Sequence, residues 1–199
     1  MAAHNRIWTG IAALLCAALL AGCGGSQSGF TKGDLPKITA VRPPRPGGLN
    51  YLPAQAPKPI KLDELFNTTY STEADQDALR AIKDAGFVDA YRATWTGLNT
   101  ATVFAFLLKK EPRAPHVLAS LHKAFQKDFE RAKIKPVGAP GLGARAWGEH
   151  TPQGDYVYGF RKRNLVVVVT MSHGKRNPTE DEAVRYAQAI SDEAKKQES

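Results

Sequence analysis

Apolar residues recur at helical spacing in three stretches of the chain. The pattern predicts helices over Thr72–Ala85 and Pro115–Ala132, and a third that begins at Pro178-Thr179 and runs towards the C-terminus. Thr72 and Thr179 are each followed by acidic residues in the first turn, as is typical of N-caps. Gly86 is placed to end the first helix in a left-handed conformation.

Five other stretches carry alternating or continuous apolar residues and predict strands. They are Tyr91–Thr96, Thr100–Leu108, Ala144–Glu149, Tyr156–Arg161 and Leu165–Met171. The second and fifth are apolar on both faces, which is typical of central strands. Because hairpins alternate with helices, we expect an α+β fold. It would be a mostly antiparallel sheet of about five strands covered by helices, an α/β sandwich.

The N-terminal region has a different pattern. An apolar run, Ile7–Leu20, ends in Leu20-Ala21-Gly22-Cys23. This run is too short to span a bilayer but suits a signal peptide. The four residues resemble the lipobox of bacterial lipoproteins, which implies cleavage before Cys23 and lipidation of its sulfur. Residues 1–22 would then be a lipoprotein signal peptide, and the chain would be lipid-anchored to the cell membrane on its extracytoplasmic side. A plain secretory signal with an incidental cysteine is the alternative.

Residues 24–60 are rich in Gly, Ser and Pro and show no apolar period. Together with the lipidated Cys23 they are expected to form a disordered to semi-rigid linker, residues 23–60, ahead of an extracytoplasmic α+β domain at 61–199. The net charge is +8, and much of the excess lies in this linker. This positive charge would attract the linker to an anionic membrane surface, or the linker would simply be a solvated basic segment. Nucleic acid is not expected as a partner of an exported protein.

Candidate chemistry is sparse. The chain has two cysteines, and Cys16 lies in the signal peptide, so the mature domain has no thiol for a disulfide, a metal or catalysis. No histidine pair has metal-site spacing, and Ser120 lies on a predicted helix rather than on a nucleophile turn. We therefore expect no enzyme activity, no cofactor and no metal. An envelope hydrolase or transferase with a site dispersed in sequence is the alternative.

Aromatic residues on the predicted strands are the remaining feature. The set consists of Trp95, Trp147, Tyr156, Tyr158 and Phe160, with Arg161 just beyond. They would line a ligand groove, or they would be core residues beneath a helix. The expected partners are accordingly the membrane, through Cys23, and a small ligand or an envelope protein.

Two segments and the closing helix carry a further resemblance. The segments are Pro140–Ala146, with the sequence Pro-Gly-Leu-Gly-Ala-Arg-Ala, and Gly154–Val169. They resemble small actinobacterial lipoproteins with extracellular sensor-like sandwich domains. Those families usually have Gly-Asp-Glu-Ala where this chain has Gly143-Ala144-Arg145-Ala146. The resemblance carries over no catalytic residue. It implies a cell-envelope protein with a non-enzymatic ligand- or protein-binding domain.

Overall fold

A seven-stranded antiparallel sheet with helices on both faces forms the centre of the fold. The structure, a computed structural model, describes residues 29–44, 51–66, 72–128 and 133–198. The predicted α+β class is confirmed, but the sheet has seven strands, not about five. The predicted signal peptide and lipobox, with Cys23, lie outside the described residues.

All neighbouring strands of the sheet pair antiparallel, in the order β1-β2-β3-β7-β6-β5-β4. The strands are β1 (Leu52–Pro59), β2 (Phe87–Thr96), β3 (Thr100–Leu108), β4 (Lys135–Val137), β5 (Trp147–His150), β6 (Tyr156–Lys162) and β7 (Leu165–Ser172). The two strands that are apolar on both faces, β3 and β7, pair in the middle of the sheet, as predicted.

Two of the five helices in the described ranges begin where capping residues predict, directly after Thr72 and Thr179. The five are α1 (Leu35–Thr39), α2 (Leu62–Leu65), α3 (Glu73–Asp84), α4 (Ala114–Asp128) and α5 (Glu180–Gln197). Thr72 and Thr179 both form capping boxes, and Gly86 has a φ of +73°. In the described ranges, no helix is long and apolar enough to cross a membrane.

Part of the predicted linker belongs to the folded domain. Residues 29–44 include α1, which buries Leu35 and Ile38 completely, and residues 52–59 form the edge strand β1. The prediction of a disordered linker is therefore wrong for these described residues. Packing against the sheet stabilises them, and a Pro-rich sequence gives no periodic sign of such packing.

The side-chain amide of Asn164 holds the N-terminal segment against the sheet. Its Oδ1 accepts a hydrogen bond from the Phe30 N–H at 2.9 Å. Its Nδ2 donates to the carbonyls of Phe30 and Leu108, both at 3.1 Å. The amide therefore satisfies both the N–H and the carbonyl of Phe30, as a neighbouring β-strand would.

Both edge strands carry proline. Pro53, Pro57 and Pro59 lie in β1, and Pro136 lies in the three-residue β4. Because proline has no N–H to donate, it is tolerated at the edges of sheets and interrupts the row of donors there.

The two faces of the sheet are covered differently. The face packed by α1 and α5, here the α5 face, carries Val103 and Val167. The opposite face, here the α4 face, carries Phe106 and Val166 beneath α3 and α4. Towards the other ends of β2, β3 and β7, the α4 face carries partly exposed threonines instead, namely Thr94, Thr102 and Thr170. The α4 face is therefore only partly covered.

Candidate functional site

The structure separates the residues of the predicted ligand groove. Trp95, Tyr156, Tyr158 and Phe160 lie on the α5 face, whereas Trp147 and Arg161 lie on the α4 face. The register explains the separation, because Trp147 pairs with Gly159 while Tyr158 pairs with Gly148. Directly paired residues share a face of a sheet. These residues therefore do not line one common groove.

The members on the α5 face pack in the core. Tyr158 and Phe160 are completely buried, and Trp95 is nearly so. Burial raises the pKa of the Tyr158 hydroxyl. The guanidinium of Arg42 lies 5.4 Å from the Trp95 ring centroid, so the N-terminal segment covers this tryptophan from outside. This arrangement is a structural core, not a binding surface.

An apolar cavity of about 280 Å³ lies on the α4 face between α4 and the sheet. We call it the aromatic groove. Its principal apolar walls are Phe66, Phe104, Phe106, Phe125, Trp147 and Val168. Its polar lining consists of Asp75 and Thr170. Apolar walls with few polar groups are typical of small-molecule sites.

A larger surface hollow, of about 590 Å³, lies beside β1 and α3. Half of its lining is charged and half is apolar: Lys61, Lys83, Asp63, Glu64 and Asp89 are interspersed with Pro59, Ile60, Leu62, Leu79 and Phe87. Charges of both signs at a surface are ordinarily well solvated. The aromatic groove is therefore the better candidate, although it is smaller.

Trp147 forms a fixed wall of the aromatic groove. Its ring stacks on the imidazole of His122, with centroids 4.3 Å apart and planes at 9°. Phe125 lies at 5.9 Å on the same ring system. On the sheet side, the ring lies over Gly159, where even a Cβ atom would clash with it. The ring is thus held from both sides.

A buried carboxylate fixes the imidazole. Glu149 is 3% exposed, and its Oε1 lies 2.7 Å from His122 Nε2 and 3.0 Å from Gln126 Nε2. Its Oε2 is buried without a hydrogen-bond partner. The sequence does not predict this cluster, because Glu149 is 27 residues from His122. The only local sign was the i, i+4 spacing of His122 and Gln126 on one helix.

The His122–Glu149 pair has the chemistry of an oriented imidazole, which can accept or donate a proton. Catalysis also requires a reacting group within hydrogen-bond reach of that imidazole. Ser120 does not fill this role, since residues two apart on a helix do not face each other. It lines a different surface hollow, between α3 and α4. What the structure shows of the pair is that Glu149 orients the imidazole and the imidazole stacks on Trp147.

Arg92 lies beside the aromatic groove. It pairs directly with Phe104 across β2 and β3, so it shares the α4 face with that wall residue. Its Nε is buried and has no hydrogen-bond partner. Within the described residues, it forms no ion pair. Arg92 does not line the aromatic groove itself, but it is the strand neighbour of a residue that does.

The other predicted arginine, Arg161, also lies on the α4 face with its Nε buried and unpaired. It pairs with Val166, which is buried beneath the helices and does not line the aromatic groove. Arg161 thus shares the chemistry of Arg92 but not its position.

Comparison with known proteins identifies no family. No protein-family model matches the chain, and no curated protein matches it. The extracellular domain of PknH from Mycobacterium tuberculosis is similar to it in structure, with a TM-score of 0.45 and 9% sequence identity, covering 84% of this chain and 93% of that one. These values assign the chain neither a family nor a function.

Proposed function

We propose that this chain is a lipid-anchored protein of the cell envelope whose α+β domain binds a ligand in the aromatic groove without catalysing a reaction. The anchor rests on Leu20-Ala21-Gly22-Cys23 at the end of an apolar run. The binding role rests on one observation, an apolar cavity whose tryptophan wall is fixed on both sides.

A fixed wall favours binding, because little freedom is lost when the ligand arrives. The volume of about 280 Å³ is close to the lower end of small-molecule sites, which begin near 300 Å³. The partial cover of the α4 face leaves the cavity a route to solvent along its threonine-bearing end.

A hydrolase or transferase is the second candidate, and the His122–Glu149 hydrogen bond is the observation that favours it. Binding is preferred because Glu149 is the only group hydrogen-bonded to the imidazole among the described residues, so no nucleophile is positioned by it. An active enzyme would lose turnover of its substrate in His122→Gln while keeping affinity for it. A binding protein has no turnover to lose.

The anchor is tested with Cys23→Ser in the full chain. We expect this variant to leave the membrane fraction or to remain unprocessed, since the serine hydroxyl cannot take the place of the thiol in lipid transfer. Cys16→Ser is the matched control, because that residue lies in the apolar run and should be processed normally. Processed, wholly membrane-bound Cys23→Ser protein would exclude the anchor.

Binding is tested by native mass spectrometry of residues 23–199 carrying Cys23→Ser, exported behind a cleavable signal. This chain contains every described residue. We expect added mass that denaturation removes. Val168→Phe should abolish it by filling the groove, whereas Val184→Phe, on helix α5 at the opposite side of the sheet, should not. Equal retention of the added mass in Val168→Phe would place the ligand elsewhere.

A further inference from the structure

We propose that the aromatic groove takes a single-chain amphiphile with a carboxylate head, its chain against Trp147 and Phe104 and its head on Arg92. This inference rests on the proposed binding function and adds the chemical class of the ligand. Three observations carry it: the volume of the cavity, the position of Arg92 and the pairing of the nearby acidic groups.

The volume limits the apolar part of the ligand. A cavity of about 280 Å³ holds the equivalent of roughly nine water molecules at ~30 Å³ each. That space suits one short or medium-length chain and is too small for a lipid with two long chains. Phenyl and indole walls offer no hydrogen bonds across most of its surface, so an apolar chain fits them better than a sugar would.

The position of Arg92 supplies the charge for the head. Arg92, Phe104 and Val168 are direct partners across β2, β3 and β7, so they form one row on the α4 face. Neighbouring strands lie about 4.8 Å apart. The backbone of Arg92 therefore lies about 5 Å from that of one groove wall and about 10 Å from that of the next.

The guanidinium of Arg92 has no acceptor in the part of the chain that the structure describes. A buried N–H without a partner is unfavourable, and a carboxylate is the acceptor that an arginine binds best, through two parallel hydrogen bonds. By contrast, Arg163 in the β6–β7 turn lies near two carboxylates, those of Glu111 and Glu198. Arg161 also has an unpaired Nε, but of these two arginines only Arg92 lies in the strand row that carries the groove walls Phe104 and Val168.

The nearby acidic groups are already engaged. Asp75 lines the groove, but its Oδ2 accepts from the backbone N–H and hydroxyl of Thr72, at 2.8 and 2.9 Å. It also lies in the first turn of α3, where the helix dipole stabilises negative charge. Glu149 is bonded to His122 and Gln126. Each of these carboxylates thus already accepts hydrogen bonds, whereas Arg92 has no carboxylate partner among the described residues.

The threonine-bearing end of the α4 face adds neutral donors. Thr94 and Thr102 are hydrogen-bonded to each other at 3.2 Å, in the row next to that of Arg92. Thr170 lies in the same row as these threonines and lines the groove. A carboxylate head on Arg92 thus has hydroxyl groups on its open side.

The experiment compares two probes with the same chain and opposite heads, dodecanoate and dodecyltrimethylammonium, below their micelle concentrations. Binding to residues 23–199 with Cys23→Ser is measured by isothermal titration calorimetry. We expect dodecanoate to bind at least about tenfold more tightly, which corresponds to about 1.4 kcal/mol. Arg92→Gln should remove this preference, and the matched variant Arg161→Gln should keep it. Thermal melting checks that both variants fold.

Each alternative outcome contradicts a different part of the argument. Equal binding of both probes, abolished by Val168→Phe, would leave the groove as a binding site and overturn the carboxylate assignment. Failure of both probes, with a retained mass that Val168→Phe removes, would overturn the amphiphile while the binding function stands. An equal loss of dodecanoate affinity in Arg161→Gln would overturn the role of Arg92.

Discussion

Gly159 is the position where one added methyl group should disturb the candidate site most. A Cβ built there lies less than 3.0 Å from the Cε2, Cζ2 and Nε1 atoms of Trp147, whereas ordinary contacts begin at 3.4 Å. The Gly159 φ is not positive, so the close approach of the indole, not the backbone conformation, requires glycine. In Gly159→Ala the ring must move, and His122 blocks the other side.

The expected cost follows from three terms. Overpacking a filled site costs about 1–3 kcal/mol. Disturbing the aromatic stack costs a further ~0.5–1.5 kcal/mol. The reduced entropy of the unfolded chain offsets about 0.4–1 kcal/mol. We therefore expect the free energy of unfolding to fall by about 2–3 kcal/mol, and the melting temperature by roughly 5–10 °C for a domain of this size.

Thermal and urea unfolding, followed by circular dichroism, measure this loss. Gly138→Ala is the matched control, because its Cβ would meet only Pro140, at 3.8 Å. It should change the free energy of unfolding by less than about 0.5 kcal/mol. If Gly159→Ala melts with the wild type, then Trp147 is not held between His122 and the sheet, and the argument for a preformed groove fails.

Three further predictions concern other parts of the domain. His122→Ala leaves the buried Glu149 carboxylate without its imidazole partner. Urea unfolding should show a loss of about 3 kcal/mol in the free energy of unfolding. The double variant His122→Ala/Glu149→Gln should recover part of that loss, because the buried charge is removed. Asn164→Ala removes three hydrogen bonds to the backbone, so tryptic cleavage within residues 29–44 should become faster. The hydrogen bond from the Arg176 guanidinium lowers the pKa of the Glu182 carboxyl in the folded protein. The ionised carboxylate therefore contributes its full stability above the unfolded pKa of about 4.5. That contribution is lost as the pH falls through the lower pKa of the folded state. Glu182→Gln should therefore lower stability at neutral pH and flatten the decline in acid.

The first two of these predictions have a control variant, on the same helix or of the same residue type. His116→Ala changes an exposed histidine on α4 and should be neutral. Asn177→Ala removes an exposed amide and should leave the N-terminal segment protected. A Glu182→Gln variant that declines in acid as steeply as the wild type would show that another carboxyl governs that range. A faster cleavage in Asn177→Ala would remove the special role given to Asn164.

Local patterns predicted the elements whose stabilising features are themselves local. The N-cap at Thr72, the capping box at Thr179 and the left-handed Gly86 are predicted from adjacent residues, and all three are confirmed. The edge strands β1 and β4 were not predicted, because tertiary pairing and not local sequence stabilises them. Strand β1 has few residues that favour strands, so its own sequence does not predict one. Pairing with β2 along one side stabilises it.

The candidate site was only partly predictable. Period-2 alternation correctly placed Tyr156, Tyr158 and Phe160 on one face, because they share a strand. It could not relate Trp147 to them, since the register between β5 and β6 decides that, and the register puts Trp147 opposite Gly159. The contact of α4 with β5 depends in the same way on tertiary packing. The sequence therefore indicated the aromatic residues but not their partners.

The prolines at both edges of the sheet determine how this domain can meet other chains. A partner that adds a strand to an edge needs a continuous ladder of backbone donors and acceptors. Pro53, Pro57 and Pro59 on one side, and Pro136 on the other, interrupt that ladder. Copies crowded together would therefore resist stacking edge to edge into fibrils. Recognition of a partner must therefore use side chains on the faces and loops of the domain. Single substitutions there can change the affinity for a partner without altering the sheet.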